Sequence, residues 1–225
     1  MPEGHSLERV ARRLRPLVGA RVDAGPLAGA VVSEVEARGK HLLVHTADGR
    51  CLHAHLGLHG GVRLRPPGQG RGRHVLRTAA GDLVIAGRVG VANRPPQLSL
   101  GPDLLHGRFD IVAYLRRARA VDRPIGELLL DQRVLAGIGN IVKSETLWER
   151  RQDPFQATSA ISDRRLLELA ATARRHLRQG VSGRLPRNVY RRTGRPCPRC
   201  RTPIGSTVQG EHARRTYHCP RCQAA

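Results

Sequence analysis

Four of the five cysteines fall into two Cys-x-x-Cys knuckles, Cys197-Pro-Arg-Cys200 and Cys219-Pro-Arg-Cys222, with 18 residues between the pairs. That spacing matches one zinc ion held by four thiolates. Such a zinc is structural, because four protein ligands leave no open position for substrate or water. Two disulfides or a redox dithiol are the competing uses of such pairs, and they lack a secretion signal or a strand–helix redox context here. The fifth, Cys51, lies in an alternating run and reads as a small core residue. At the other end the chain starts Met1-Pro2-Glu3-Gly4. Removal of Met1 is expected to leave Pro2 with a free secondary amine. An α-amino group titrates near about pH 8, so a neutral, nucleophilic fraction exists under ordinary conditions. Attack on the anomeric carbon of a sugar gives an iminium whose charge acidifies the neighbouring carbon and promotes loss of a phosphate. Glu3 stands one residue away, placed to protonate the ring oxygen or to handle the elimination proton.

Charge narrows the partner. Lys plus Arg number 39 against 18 Asp plus Glu, a net charge of +21 that suits a polyanion. Only Lys40 and Lys143 are lysines. Arginine excess of this kind follows from Arg-favouring codon usage. The two surviving lysines therefore mark positions where an amine differs in function from a guanidinium. Aromatic residues make up 3% of the chain, which disfavours modules that stack single-stranded bases on exposed rings, and a duplex is the expected partner. No apolar run reaches the roughly 18 residues of a membrane span, and the start lacks the basic-then-apolar pattern of a secretory signal. These features lead us to expect a soluble, cytoplasmic, monomeric protein without membrane contact.

The elements that must position these groups have three textures. Apolar Leu7, Val10, Ala11, Leu14 and Val18 recur at helical spacing over residues 4–18. Residues 30–92 then read as short strands: 30–37, 40–47, 50–56, 74–79 and 82–89. Asp48-Gly49 and Gly81-Asp82 serve as turn signals, so an antiparallel sandwich or barrel is expected. Helical spacing takes over within 108–118, 124–134 and 140–151, and a last helix starts at the cap Ser162-Asp163 and runs to Gly180. The expected fold is α+β and multi-domain. It comprises an N-terminal catalytic antiparallel β-sandwich over 1–93 with a flanking helix, a helical DNA-binding domain over 94–190 and a four-cysteine zinc finger over 191–225. Between two of the helices, Leu135-Ala136-Gly137-Ile138-Gly139-Asn140 supplies flexible backbone and a helix start. That suits either a phosphate contact or an ordinary helix–turn–helix corner.

Met1-Pro2-Glu3-Gly4, Arg38-Gly39-Lys40, His55-Leu56-Gly57-Leu58-His59-Gly60, the segment 128–145 and the terminal four-cysteine finger occur in an order that resembles the formamidopyrimidine-DNA glycosylase and endonuclease VIII family. The resemblance spans nearly the whole chain. It implies an N-terminal β-sandwich followed by a helix–two-turn–helix domain and a zinc finger. It also implies a bifunctional glycosylase and abasic-site lyase that acts on damaged double-stranded DNA.

By that resemblance Pro2, Glu3 and Lys40 are the catalytic residues: Pro2 the Schiff-base nucleophile, Glu3 the general acid, and Lys40 the strand lysine that approaches the damaged nucleotide and its phosphate. Asn140 binds the phosphates that flank the lesion, as does Arg214 in the finger, with Arg215 as its near rival. Glu145 supports the site without reacting. His55 is a phosphate donor, and Leu58, with His59 beside it, fills the space vacated when the base is flipped. A metal cluster of His53, His55 and His59 is the competing reading of those histidines.

Two departures from the family pattern stand out. His5-Ser6 replaces the common Pro-Glu, and Gly87-Arg88-Val89-Gly90 lacks the aromatic of the 8-oxoguanine enzymes' intercalation loop. They favour the endonuclease VIII branch, with oxidised pyrimidines excised and the strand nicked by β,δ-elimination. The alternatives are an 8-oxoguanine/formamidopyrimidine-type glycosylase or a non-catalytic zinc-ribbon DNA-binding protein.

Overall fold

The computed structural model describes residues 2–57, 59–211 and 213–224. The chain divides into two compact units, 1–98 and 99–225.

The first unit opens with helix α1 (Gly4–Arg13), which ends in a 3-10 turn at Arg15–Leu17 where Pro16 cannot continue the ladder. Leu7, Ala11 and Leu14 form its buried stripe, and α1 packs against β2 (Val32–Arg38) and β3 (His41–Thr46). Two four-stranded antiparallel sheets follow. One runs β2-β3-β4-β8, with β4 at Cys51–His55 and β8 at Arg88–Ala92. The other runs β1-β6-β7-β5, with β1 at Val22–Ala24, β5 at Gly61–Arg65, β6 at His74–Thr78 and β7 at Gly81–Ala86. Alternation selects the faces. Ala37, Leu42, Val44, Leu52 and Ala54 from the first sheet share one core with Leu76, Leu83 and Ile85 from the second, while His41, His45, His53 and His55 lie half-buried on the opposite face of β3 and β4.

Three local expectations are corrected. The 82–89 run is not one strand: the chain leaves β7, breaks at Gly87 and joins the other sheet as β8. A Cβ at Gly87 would sit 3.0 Å from the His55 carbonyl oxygen and 3.2 Å from Leu56 Cα, so any side chain there would crowd the backbone at the crossing. The turn before β7 is formed by residues 79 and 80, since Thr78 pairs with Gly81, so Gly81-Asp82 already belongs to the strand. Lys40, expected in a strand, occupies a two-residue turn instead, because Arg38 pairs with His41. Gly39 takes φ +55° there, the left-handed conformation that the first position of such a hairpin turn requires.

The second unit is helical. It contains α2 (Ile111–Arg119), the short α3 (Ile125–Leu128), α4 (Asn140–Glu149) and α5 (Asp163–Val181), followed by the antiparallel hairpin β9 (Gly205–Gln209) and β10 (Arg214–His218). Asp110 caps α2 by accepting from Ala113 N at 2.8 Å, and Ser162 caps α5 by accepting from Arg165 N at 3.3 Å. Leu128, Val142, Leu147, Leu169 and Leu177 are fully buried at the centre of this unit. Among the described residues no helix is long and apolar enough to cross a membrane.

Candidate active site and nucleic-acid interface

In the first unit, Glu3 precedes the first turn of α1 and is fully buried, while Pro2 is half-exposed. The departure at position 6 has a structural consequence. Ser6 Oγ accepts from the Glu3 backbone N–H at 2.8 Å and donates to the Glu3 carbonyl at 2.8 Å, so the hydroxyl fixes the backbone of the residue that follows Pro2. His5, buried as well, brings Nδ1 to 3.9 Å from a Glu3 carboxylate oxygen. An imidazole thus stands beside Glu3 where the family pattern has a proline, and the Ser6 hydroxyl takes the place of the second carboxylate.

Lys40 projects from the β2–β3 turn next to a group of imidazoles. His41 Nδ1 lies 2.7 Å from His53 Nε2, and the His41 ring centroid is 5.2 Å from that of His55. Burial holds His41 well below its usual value, at about 4, and the charges of His53, His55 and Lys40 push it the same way. Burial also lowers His53, and lowers His55 with help from Arg88. The trio is a neutral, ring-packed patch. The metal reading fails on geometry: among the described residues the one group able to hold a metal ion is the cysteine quartet. His59 is exposed, and Leu58 lies outside the described residues.

The histidine pair has a consequence for acid stability. The folded state binds a proton on His41 only near pH 4, whereas the unfolded chain does so near 6.5, so stability is complete above 6.5 and is lost as the pH falls from 6.5 to 4. With the partial exposure of the ring discounted, the loss is about 1.5 kcal/mol. Thermal melts of His41→Gln across this window are expected to show a shallower acid decline than the parent.

In the second unit, the loop that ends at Asn140 is shaped by a residue that sequence reading passed over. Gln132 donates from Nε2 to the carbonyls of Leu130 (2.9 Å) and Ile138 (3.1 Å), while its Oε1 accepts from Gly137 N at 3.0 Å. One side chain therefore spans both turns. Gln132 lies inside the motif segment, yet nothing in its spacing announced the role. Asn140 is buried, opens α4 and donates from Nδ2 to the Arg215 carbonyl at 2.8 Å, which ties the helix start to β10. Arg215 is exposed and donates to Ser206 Oγ at 3.2 Å, and Arg214 is half-buried.

Glu145, fully buried on α4, accepts from the backbone N–H groups of Asn188 (2.8 Å), Val189 (3.0 Å) and Tyr190 (2.9 Å) and from Asn188 Nδ2 at 3.1 Å. It organises the segment between α5 and the finger. Glu145→Ala orphans these donors. The expected cost is about 3 kcal/mol, measured as a lower denaturation midpoint.

The four cysteine Sγ atoms lie within 4.8 Å of one another, with Cys200–Cys219 at 3.4 Å and Cys197–Cys222 at 4.0 Å. A tetrahedral zinc with bonds of about 2.3 Å needs sulfur separations of about 3.8 Å, so the quartet fits one zinc ion. N–H groups already point at the sulfurs: Trp148 Nε1 donates to Cys197 Sγ at 3.4 Å and Cys222 N to Cys219 Sγ at 3.4 Å. Arg199 stacks 4.0 Å from the Trp148 ring and donates to the carbonyls of Trp148 (2.6 Å) and Glu149 (2.9 Å), capping the end of α4.

Known proteins share this arrangement. The formamidopyrimidine-DNA glycosylase N-terminal domain model matches residues 24–86, and the formamidopyrimidine-DNA glycosylase H2TH domain model matches residues 100–186. A probable endonuclease 8 2 of Streptomyces coelicolor is 34% identical over 100% of this chain and 94% of its own length. The formamidopyrimidine-DNA glycosylase of Thermus thermophilus is also 34% identical, over 99% of this chain and 98% of its own. The crystal structure of the MutM (Fpg) protein from Thermus thermophilus superposes with a TM-score of 0.87 at 31% identity, covering 99% of this chain and 98% of that one. Near-complete coverage by relatives from both branches, on a fold that carries the cysteine quartet and the helix–two-turn–helix loop, places the chain in the formamidopyrimidine-DNA glycosylase and endonuclease VIII family of DNA glycosylases and abasic-site lyases.

Proposed function

We propose that this chain excises oxidised bases, pyrimidines foremost, from duplex DNA and then nicks the strand, with Pro2 as the covalent catalyst. The observation that carries this reading is the buried, backbone-locked Glu3 immediately after Pro2, which provides a fixed proton source beside the one amine free of a side chain's flexibility. The neutral Pro2 nitrogen attacks C1′ of the flipped nucleotide while Glu3 delivers a proton to the sugar ring. The glycosidic electron pair leaves with the base, which takes up the proton that the Pro2 nitrogen gives up. The C1′–O4′ bond then breaks as O4′ accepts the Glu3 proton, leaving the nitrogen with the positive charge of an iminium. Loss of a C2′ proton then pushes the electron pair toward C3′ and expels the 3′ phosphate. A second elimination expels the 5′ phosphate, and water releases the sugar fragment from Pro2.

Lys40, His55, Asn140, Arg214 and Arg215 hold phosphates in this scheme, Leu58 and His59 occupy the vacated stack, and Glu145 supports. The one zinc ion orders the finger and takes no part in the chemistry. The modules 1–93, 94–190 and 191–225 divide the tasks into catalysis, duplex binding and phosphate grip. We place the protein on cytoplasmic DNA as a monomer.

Borohydride trapping tests the proposal. Protein freed of Met1 should give a covalent adduct with duplex containing an abasic site or a damaged base. No adduct with either substrate would overturn it. Thymine glycol should be removed faster than 8-oxoguanine opposite cytosine, and the reverse order would assign the chain to the 8-oxoguanine type.

A further inference from the structure

The chain keeps two lysines among 37 arginines, and Lys143 is the fully buried one. It sits one turn into α4 from Asn140, and its Nζ donates to Thr216 Oγ1 at 2.7 Å across the boundary between helix and finger. The Thr216 hydroxyl, fully buried too, donates to Gln209 Oε1 at 2.7 Å, and Gln209 Nε2 donates to the Pro154 carbonyl at 3.0 Å. The relay thus grips both strands of the hairpin, β9 through Gln209 and β10 through Thr216.

Neighbouring packing leaves no slack. A Cβ at Gly126 would meet Gln209 Oε1 at 2.5 Å and the Pro154 carbonyl oxygen at 3.0 Å, so a side chain there would have to displace the Gln209 amide from its partners. Pleating then determines what the hairpin presents. With Thr216 turned toward Lys143, Arg215 falls on the opposite, solvent face and its carbonyl meets Asn140 Nδ2 at 2.8 Å, while Arg214, half-buried at the start of β10, shares the face of Thr216 and is aimed by the same register. A slip of one residue would turn Arg215 inward and Thr216 outward. Arginine is not an equivalent of Lys143 here, because a planar guanidinium is larger than the compact ammonium that donates to the Thr216 hydroxyl in this fully buried position.

We propose that Lys143 and Thr216 are positioning residues that set the register of the finger hairpin against α4, and so hold Asn140 and Arg214 at the spacing of two phosphates on one duplex. The inference rests on the reading of those two residues as phosphate contacts.

Full-length zinc-loaded protein carrying Lys143→Met or Thr216→Val is titrated with abasic-site duplex at several salt concentrations. Zinc content and Trp148 fluorescence report on the fold. Both variants should keep one zinc and bind roughly tenfold more weakly. The slope of log affinity against log salt should be shallower by about one phosphate. The single-turnover rate at saturating duplex should fall far less than the affinity. Thr216→Ser, which retains the hydroxyl, should restore both affinity and slope, and adding Arg214→Ala to Lys143→Met should remove little more. Wild-type slope in both variants, or loss of zinc from both, would overturn the inference, the latter because the relay would then serve folding alone. Arg214→Ala and Asn140→Ala act as controls. If neither changes the slope, it is the phosphate-contact reading that fails. If they do and Lys143→Met does not, the failure belongs to the relay.

Discussion

Protein that carries any residue ahead of Pro2 is expected to form no borohydride-trapped adduct and to lose at least about three orders of magnitude in both base removal and strand nicking. The reason is electronic. An acylated proline nitrogen shares its lone pair with a carbonyl and is no longer a nucleophile, so covalent catalysis ends at its first step. Glu3→Gln separates the two activities. The amide fills the same buried volume but cannot deliver a proton, so base removal should fall by roughly a thousandfold, within the range of general-acid effects. Nicking of a pre-formed abasic site already has its aldehyde and no glycosidic bond to break, so it should fall far less. Single-turnover rates on the two substrates, measured side by side, check both statements. Equal loss on both would remove Glu3 from the glycosidic step. Full activity of the extended protein would remove Pro2 from the mechanism.

The cysteine quartet, the start of α5 and three of the strands were legible in the sequence because each depends on local spacing. Two Cys-x-x-Cys pairs announce a tetrahedral site, Ser162 announces the start of α5, and period-two alternation announces β2, β3 and β4. What escaped was everything decided by distant partners. Gly87 read as an interior strand residue, since the change of sheet there follows from the close approach of the His55 carbonyl. β1 and β5 escaped because each is short and half-exposed, with no run of alternation long enough to register. His41 looked like an ordinary strand residue until β4 placed His53 and His55 against it. Gln132 and Lys143 carry no periodic signal, and Thr216, which Lys143 meets, lies 73 residues away in sequence. Composition did offer one hint. A lysine retained in a chain that otherwise uses arginine marks a place where a compact amine is needed.

Removing the zinc is the second large perturbation, and its effect should reach the DNA. Outside the cysteines, the finger's buried apolar cluster consists of Trp148 from α4, Val189 and Ile204, too little to order some 30 residues without the metal. Cys219→Ser, or chelation of the intact protein, is therefore expected to melt the hairpin and release Arg214 and Arg215 together with the hydrogen bonds that Thr216 and Gln209 make. Every phosphate that the protein lets go makes the salt dependence shallower by about 0.9, so release of both arginines should weaken binding at physiological salt by roughly a hundredfold. The protein contains its own reporter. Trp148 is the sole tryptophan, and its indole N–H points at Cys197 Sγ at 3.4 Å with Arg199 stacked above, so chelation should shift its emission. The N-terminal unit has a separate core and should keep its melting transition. A chelated protein with unchanged tryptophan emission and unchanged duplex affinity would mean that the four sulfurs hold no metal that matters to the fold. The finger arginines would then need another support.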